Sequence, residues 1–262
     1  MRFVKGHGTE NDFVLLPEPP EQLSVELVQA LCDRRAGLGG DGVLAVRREG
    51  RAYFMDYRNA DGSIAEICGN GIRVFARYLV GAGLEEPGTF EVQTRAGACR
   101  VAVPTDGGDI TVEMGSPKRL PDAKVSVSGT AWPGYGWGIG NPHVVALDAG
   151  PLDSLDLSTA PVIDPASAFP DGANVEFVER LGDSHIRMRV FERGVGETRS
   201  CGSGACVAAV AAMDVRGNRT TYDVDVPGGR LRVNWREDHV VTLAGPAILV
   251  ASGEIDTRLL SG

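Results

Sequence analysis

Two stretches of the chain carry the same pattern: ICGNGIRVFARYL at residues 67–79 and SCGSGACVAAVAA at residues 200–212. Each places a cysteine and two glycines directly before a run in which apolar residues recur with helical spacing. The second run is small and apolar on nearly every side, which is typical of a helix buried inside a protein. A strongly curved sheet that encloses its own helix would bury it in this way.

The repetition extends beyond the two cysteine turns. Polar residues recur ahead of each cysteine at matching distances, and apolar strand patterns follow matching glycine-containing turns. An internal duplication of about 130 residues is the economical interpretation, and it predicts two similar halves that face one another. The paired positions are Asn11 with Asn141, Gly42 with Asn174, Asn59 with Glu192, and Cys68 with Cys201.

Composition restricts the class of function. The 262 residues are 43% hydrophobic and 23% charged, as in ordinary globular proteins, whereas the 35 glycines exceed the usual share of about 7%. A formal net charge of −9 without a basic run argues against nucleic acid or an anionic membrane as partners. No apolar run approaches the roughly 18 residues of a membrane span, and the first residues lack the pattern of a secretory signal. We therefore expect a cytoplasmic protein.

The five cysteines fall into two groups. Because their number is odd and their spacing lacks the paired CxxC of a zinc site, we expect neither a disulfide framework nor a bound metal. Cys32, Cys99 and Cys206 stand within apolar helix or strand patterns and are expected to be small buried residues. Cys68 and Cys201 instead precede helix starts, where unpaired backbone N–H groups and the helix dipole favour an anion.

The two cysteine turns have the properties of a reactive site. A helix start can lower the pKa of a thiol from about 8.5 towards neutrality, and its N–H groups can bind a carboxylate. One such turn is more often structural, but two at a duplicated interval suggest an amino-acid carboxylate held between two helix ends, with a sulfur on each face of its α-carbon. His143 and Glu192 are groups that can exchange a proton with a thiol, although a turn histidine and an exposed acid are equally good interpretations.

At these residues the sequence resembles the diaminopimelate epimerase family. Residues 59–73, NADGSIAEICGNGIR, match the first signature of that family, and residues 192–206, ERGVGETRSCGSGAC, resemble its second cysteine segment. Residues 7–14, HGTENDFV, and residues 140–145, GNPHVV, are similar to two further motifs. The resemblance covers effectively the whole chain.

The resemblance implies an α+β fold of two pseudosymmetric halves, each a curved, mostly antiparallel, barrel-like sheet around a central helix. Because the last strand of the family returns to the first half, we expect an N-terminal half of residues 1–115 plus 245–262, and a C-terminal half of residues 116–244. The Pro-containing connector MGSPKRLPDA supplies the boundary. Homodimers are usual in the family, so a homodimer is also expected.

The resemblance further implies a two-base epimerisation of LL-2,6-diaminopimelate to meso-diaminopimelate, without PLP or any other cofactor, in lysine and peptidoglycan biosynthesis. Cys68 and Cys201 would be the catalytic base and acid, one as thiolate and one as thiol, and His143 and Glu192 would tune them. Glycines and polar residues of the cysteine turns would bind the reacting carboxylate, and the remaining polar residues would bind the amines and the distal carboxylate. The implied substrate-binding residues are Asn11, Asn59, Gly69, Asn70, Asn141, Asn174, Glu192, Arg193, Gly202 and Ser203.

Two departures from the family concern the details of binding. Glu10 adds a negative charge to the first motif, and Gly42 stands where many members have glutamine.

Two other functions stay open. A racemase of the same fold for proline or histidine would differ in the distal binding set, for which Arg193 and four asparagines favour a second zwitterionic end. A thiol redox sensor would pair Cys68 with Cys201 but would leave those polar residues without a task.

Overall fold

The computed structural model describes residues 1–256 and 258, and the chain divides into two compact units. One unit comprises Met1–Val112 with the C-terminal segment from Gly245, and the other comprises Glu113–Ala244. The expected halves were residues 1–115 plus 245–262 and residues 116–244, of which residues 257 and 259–262 lie outside the described residues. The exact bounds of the two halves stay a prediction.

The elements that precede the connector are strand-rich, as their alternating patterns predict. They are β1 (Arg2–Gly8), β2 (Asn11–Leu16), α1 (Val25–Cys32), β3 (Gly42–Glu49), β4 (Ala52–Asn59), α2 (Gly69–Gly81), β5 (Gly88–Thr94), β6 (Gly97–Val103) and β7 (Ile110–Gly115).

The elements after the connector repeat much of this order of strands and helices, with additional short strands. They are β8 (Lys118–Arg119), β9 (Ala123–Val127), β10 (Thr130–Ile139), β11 (Asn141–Ala146), β12 (Val162–Asp164), β13 (Asn174–Gly182), β14 (His185–Glu192), β15 (Gly196–Thr198), α3 (Gly202–Arg216), β16 (Thr221–Val226), β17 (Gly229–Trp235), β18 (Val241–Gly245) and β19 (Ile248–Glu254). Two 3₁₀ turns, Leu152–Ser154 and Ala166–Ala168, flank β12.

Strand pairing reproduces the predicted duplication. In the first unit, β2 pairs with β3 and β4 pairs with β5 in parallel, whereas β1–β2, β3–β4, β5–β6 and β6–β7 are antiparallel. In the second unit, β11–β13 and β14–β16 are the parallel pairs, and β10–β11, β13–β14, β16–β17 and β17–β18 are antiparallel. The two units therefore share one pattern, and each sheet is mostly antiparallel, as expected. β19 returns to the first unit, where it pairs antiparallel with β1.

Each unit is built around one central helix. In the first unit, α2 contacts β1, β2, β4, β6 and β19, and the side chains of Ile72, Phe75 and Leu79 are fully buried. In the second unit, α3 contacts β10, β11, β13, β14, β16 and β17, and every residue from Gly204 to Met213 is buried. The prediction that the all-apolar helix lies inside its own sheet is confirmed. Small side chains on α3 let the surrounding strands approach it closely.

The tight packing around α3 predicts a difference between its buried and exposed positions. Ala209 is fully buried, so Ala209→Leu inserts three carbons where the packing leaves no space, at an expected loss of about 1–3 kcal/mol in the free energy of unfolding. Val215 on the same helix is 46% exposed, and Val215→Leu should stay within about 0.5 kcal/mol of the parent. Urea denaturation followed by circular dichroism measures both, and equal effects would argue against a filled interior.

Candidate active site

Cys68 is the N-cap residue of α2. Its backbone is extended, and its Sγ accepts a hydrogen bond from the N–H of Gly71 at 3.4 Å, as an N-cap side chain does. The fully buried Arg73 stabilises the same turn, because its guanidinium donates to the carbonyl of Gly69 at 3.0 Å and to Asn70 Oδ1 at 2.9 Å. The thiol therefore occupies a fixed position at the start of the helix, and Arg73 holds the two residues that follow it.

Asn11 presents its amide oxygen to this thiol. Its Oδ1 lies 3.6 Å from Cys68 Sγ and accepts from Asn70 Nδ2 at 3.1 Å. The amide nitrogen donates to Asp41 Oδ2 at 2.7 Å. Because an ionised carboxylate can only accept, Asp41 fixes the orientation of the amide, and Arg34 in turn donates to Asp41 at 2.8 Å.

Cys201 closes the start of α3 in the same way. It has extended backbone, and its Sγ accepts from the N–H of Gly204 at 3.4 Å and lies 3.4 Å from Ser203 Oγ. The Glu192 carboxylate is hydrogen-bonded to this thiol and accepts a second hydrogen bond from the hydroxyl of Thr198. Glu192 is therefore a partner of the thiol, and the interpretation as an exposed acid is wrong.

The expected lowering of the thiol pKa is wrong for Cys201. Burial raises the pKa of Cys201 well above its usual value, and the charges of Glu192 and Glu176 raise it further. The hydrogen bonds from Ser203 and the Gly204 N–H act in the opposite direction but are outweighed. The helix start is thus the smaller influence at this thiol, because the thiol is buried and lies close to two carboxylates.

His143 is fully buried in β11. Its Nδ1 lies 2.7 Å from Glu176 Oε1, and its Nε2 lies 2.9 Å from Asn141 Oδ1. A turn histidine would be solvated, so that interpretation is also wrong. His143 therefore contacts Asn141, which lies two residues earlier on the same strand, and the carboxylate of Glu176 on β13.

Three further expected residues, Asn174, Arg193 and Asn59, are hydrogen-bonded within their own units. Asn174 is buried and accepts from the backbone N–H of Arg193 at 2.9 Å, whereas the Arg193 guanidinium donates to the carbonyl of Asp171 at 2.9 Å. Asn59 donates to Ser63 Oγ at 3.0 Å. At Gly42, an added methyl group would lie 2.4 Å from the carbonyl oxygen of Arg58, so a larger residue there requires a backbone shift.

The other three cysteines are buried, as predicted. Cys206 is fully buried in α3, and Cys32 and Cys99 are each 5% exposed. Burial raises the pKa of Cys32 to about 11, which keeps that thiol protonated and unreactive.

Three residues of the site were missed by sequence reasoning: Asp41, Glu176 and Thr198. Glu176 carried a usable signal, because it is the one charged residue in the buried strand segment NVEFV. Asp41 and Thr198 stand among turn residues, where polar side chains are common and carry no such signal.

In the part of the chain that the structure describes, no group of three or more His, Cys, Asp or Glu side chains could hold a metal ion. Within the same residues, no helix is both long and apolar enough to cross a membrane.

Solved structures of other proteins share this fold. A hydroxyproline epimerase from Agrobacterium vitis matches with a TM-score of 0.71 at 16% identity, covering 97% of this chain and 91% of that one. A probable proline racemase from Agrobacterium radiobacter matches with a TM-score of 0.73 at 17% identity, covering 97% and 92%. The chain therefore shares the fold of these two proteins.

Sequence comparison is more specific. The family model described as Diaminopimelate epimerase matches residues 3–120 and 137–250. A diaminopimelate epimerase of Streptomyces coelicolor is 50% identical, over 99% of this chain and 97% of that protein. One of Thermobifida fusca is 48% identical, over 97% and 98%. The chain belongs to the diaminopimelate epimerase family.

The buried Glu192 carboxylate predicts a pH-dependent stability. Burial raises the pKa of Glu192 above its ordinary 4.5, so the folded protein holds this proton more tightly than the unfolded chain does. The resulting stabilisation is present below the unfolded pKa and is lost as the pH rises through the folded pKa. Glu192→Gln should therefore raise the urea midpoint at about pH 8 and change it little at about pH 4.

A matched control is Glu86→Gln, at an exposed position after α2. Its midpoint should differ from the parent equally at both pH values. A Glu192→Gln effect that is also independent of pH would show that the carboxylate is not held at a raised pKa.

Proposed function

We propose that the protein catalyses the cofactor-independent epimerisation of LL-2,6-diaminopimelate to meso-diaminopimelate, a step in lysine and peptidoglycan biosynthesis. The observation that carries this proposal is the pair of cysteines that cap the buried helices α2 and α3, in a chain of this family. We also propose that the protein works in the cytoplasm as a homodimer.

The proposed reaction moves one proton off the α-carbon and another onto it. A cysteine thiolate removes the α-proton, which forms an S–H bond and leaves the electron pair of the C–H bond on the carbon. The thiol of the other cysteine donates its proton to the opposite face, inverts the centre and becomes the thiolate. Cys68 and Cys201 exchange these roles with the direction of reaction, so no redox change or group transfer is needed.

The carboxylate next to the reacting carbon needs stabilisation as negative charge develops on it. Backbone N–H groups at the starts of α2 and α3 are donors held in place before the reaction, which is the arrangement that stabilises developing anions. We assign this task to Gly69, Asn70, Gly202 and Ser203. Their turns are rigid because each cysteine accepts the N–H of the glycine three residues later.

The surrounding polar groups prepare the two thiols differently. Asn11 offers its oxygen to the Cys68 S–H, and Glu192 offers a carboxylate oxygen to the Cys201 S–H. We assign to His143 and Glu192 the tuning of proton transfer at Cys201. Asn59, Asn141, Asn174 and Arg193 complete the proposed set for the amines and the distal carboxylate, together with Asn11 and Glu192.

The first test is proton NMR of LL-diaminopimelate in D₂O with pure, reduced protein and no added cofactor. We expect the α-proton signal to disappear as the meso isomer forms. Exchange with proline or histidine in place of diaminopimelate would instead assign a racemase of the same fold. Reversible thiol oxidation without exchange of any amino acid would favour a redox sensor.

The same assay tests the two thiols. Cys68→Ala and Cys201→Ala should each lower the rate of epimerisation by at least about 100-fold, because each removes an essential acid or base. Cys99→Ala is the matched control, since Cys99 is a buried cysteine within the strand β6 and caps no helix, and it should keep most of the activity. Full activity in either of the first two variants would rule out the two-base mechanism.

A further inference from the structure

The two units differ at one place directly behind their thiols. In the parallel pairing of β2 with β3, Phe13 lies opposite Gly42, and in the pairing of β11 with β13, His143 lies opposite Asn174. His143 therefore takes the position of Phe13. By the same register, Glu176 takes the position of Leu44, two residues further along the second strand of each pair.

Leu44 and Glu176 lie against the same part of their respective helices, beside the glycine that follows the cysteine by three residues. A methyl group added at Gly71 of α2 would meet Leu44 Cδ2 at 3.2 Å and Phe13 Cζ at 3.4 Å. One added at the corresponding Gly204 of α3 would meet Glu176 Oε1 at 2.7 Å and Cys201 Sγ at 3.3 Å. An apolar pair behind one thiol is thus replaced by a histidine and a carboxylate behind the other.

This replacement is costly for folding. His143 and Glu176 are both 0% exposed, and Glu176 Oε2 has no hydrogen-bond partner among residues 1–256 and 258. Burying a carboxylate and a histidine costs more desolvation free energy than burying an apolar pair such as Phe13 and Leu44 of the first unit. A buried carboxylate with an unpartnered oxygen next to a reactive thiol indicates a role in the chemistry.

We propose that Glu176, held by His143, is a positioning residue that makes the two thiols chemically different: it holds a carboxylate behind Cys201 where Cys68 has the side chain of Leu44. This inference rests on the proposed two-base reaction for its catalytic meaning. A negative charge on the Glu176 carboxylate opposes the formation of a second negative charge on the Cys201 sulfur. Cys201 is therefore the thiol whose proton is harder to remove, whereas the corresponding position beside Cys68 is the uncharged side chain of Leu44.

The groups that act on the Cys201 thiol come from several elements of its unit. Glu192 faces it from β14, Glu176 from β13 and the Ser203 hydroxyl from α3, while His143 on β11 lies behind Glu176. The hydroxyl favours the thiolate, and the two carboxylates oppose it. Removing the charge of Glu176 alone should therefore make the thiolate easier to form, although Glu192 remains.

The test measures the thiolate directly and does not depend on epimerisation. In a Cys68→Ala background, the rate of Cys201 alkylation by iodoacetamide is followed by peptide mass spectrometry across a range of pH, because only the thiolate reacts. Glu176→Gln should speed this alkylation at least about threefold at a fixed pH below the thiol pKa. Glu179→Gln, which removes another carboxylate from β13, one paired with Arg187, is the matched control and should leave the rate unchanged.

Two further variants separate charge from packing. Glu176→Asp keeps the charge and should alkylate slowly, like the parent, whereas a packing role predicts that it behaves like Glu176→Gln. The double variant His143→Phe with Glu176→Leu installs the pair found in the first unit, and it should also alkylate faster. This double variant decides the question if Glu176→Gln does not fold. An unchanged rate in the folded variants overturns the proposal, even if the NMR assay supports epimerisation.

Discussion

A helix that begins at buried residues has backbone N–H groups with little access to water, and both central helices of this chain begin in that way. Gly69, Asn70 and Gly71 are buried at the start of α2, as are Gly202 and Gly204 at the start of α3. Unpaired buried donors are costly, so each start needs an acceptor. A cysteine sulfur provides one in both units. The group that caps each helix is thus the same group to which the proposed reaction assigns proton transfer.

The enclosing sheets make this arrangement possible. Residues of α3 from Gly204 to Met213 are buried on all sides, so the helix cannot shift along its axis to relieve a poor cap. The thiol at its end is accordingly held at a fixed point relative to β11, β13 and β14, which supply His143, Glu176 and Glu192. Similar strands around α2 supply Asn11 and Leu44 to Cys68. The duplicated fold provides the geometry twice, and a few substitutions give the two copies different side chains around the thiol.

The sequence was sufficient to predict features that depend on spacing. The duplication follows from the matched cysteines and asparagines, and the buried position of α3 follows from its uniformly small apolar residues. The contact between His143 and Glu176 could not be predicted, because it joins two strands whose register is set by the fold. The predicted lowering of the Cys201 pKa was wrong for a related reason. A helix start is visible in the sequence, but the burial and the two carboxylates that outweigh its effect are brought together only in three dimensions. The same holds for Asp41, which orients Asn11 from a turn.

The return of β19 to β1 has a consequence for the order in which the chain can be completed during synthesis. The second unit is continuous, so every strand that it contains has been made by residue 245. The first unit lacks one edge of its sheet until Ile248–Glu254 have been synthesised. The hydrogen bonds from Arg73 and Arg77 on α2 likewise require the carbonyls of Pro246 and Ala247, which are made only shortly before. On the ribosome, the part of the protein that is translated first is therefore the last to acquire all of its native contacts.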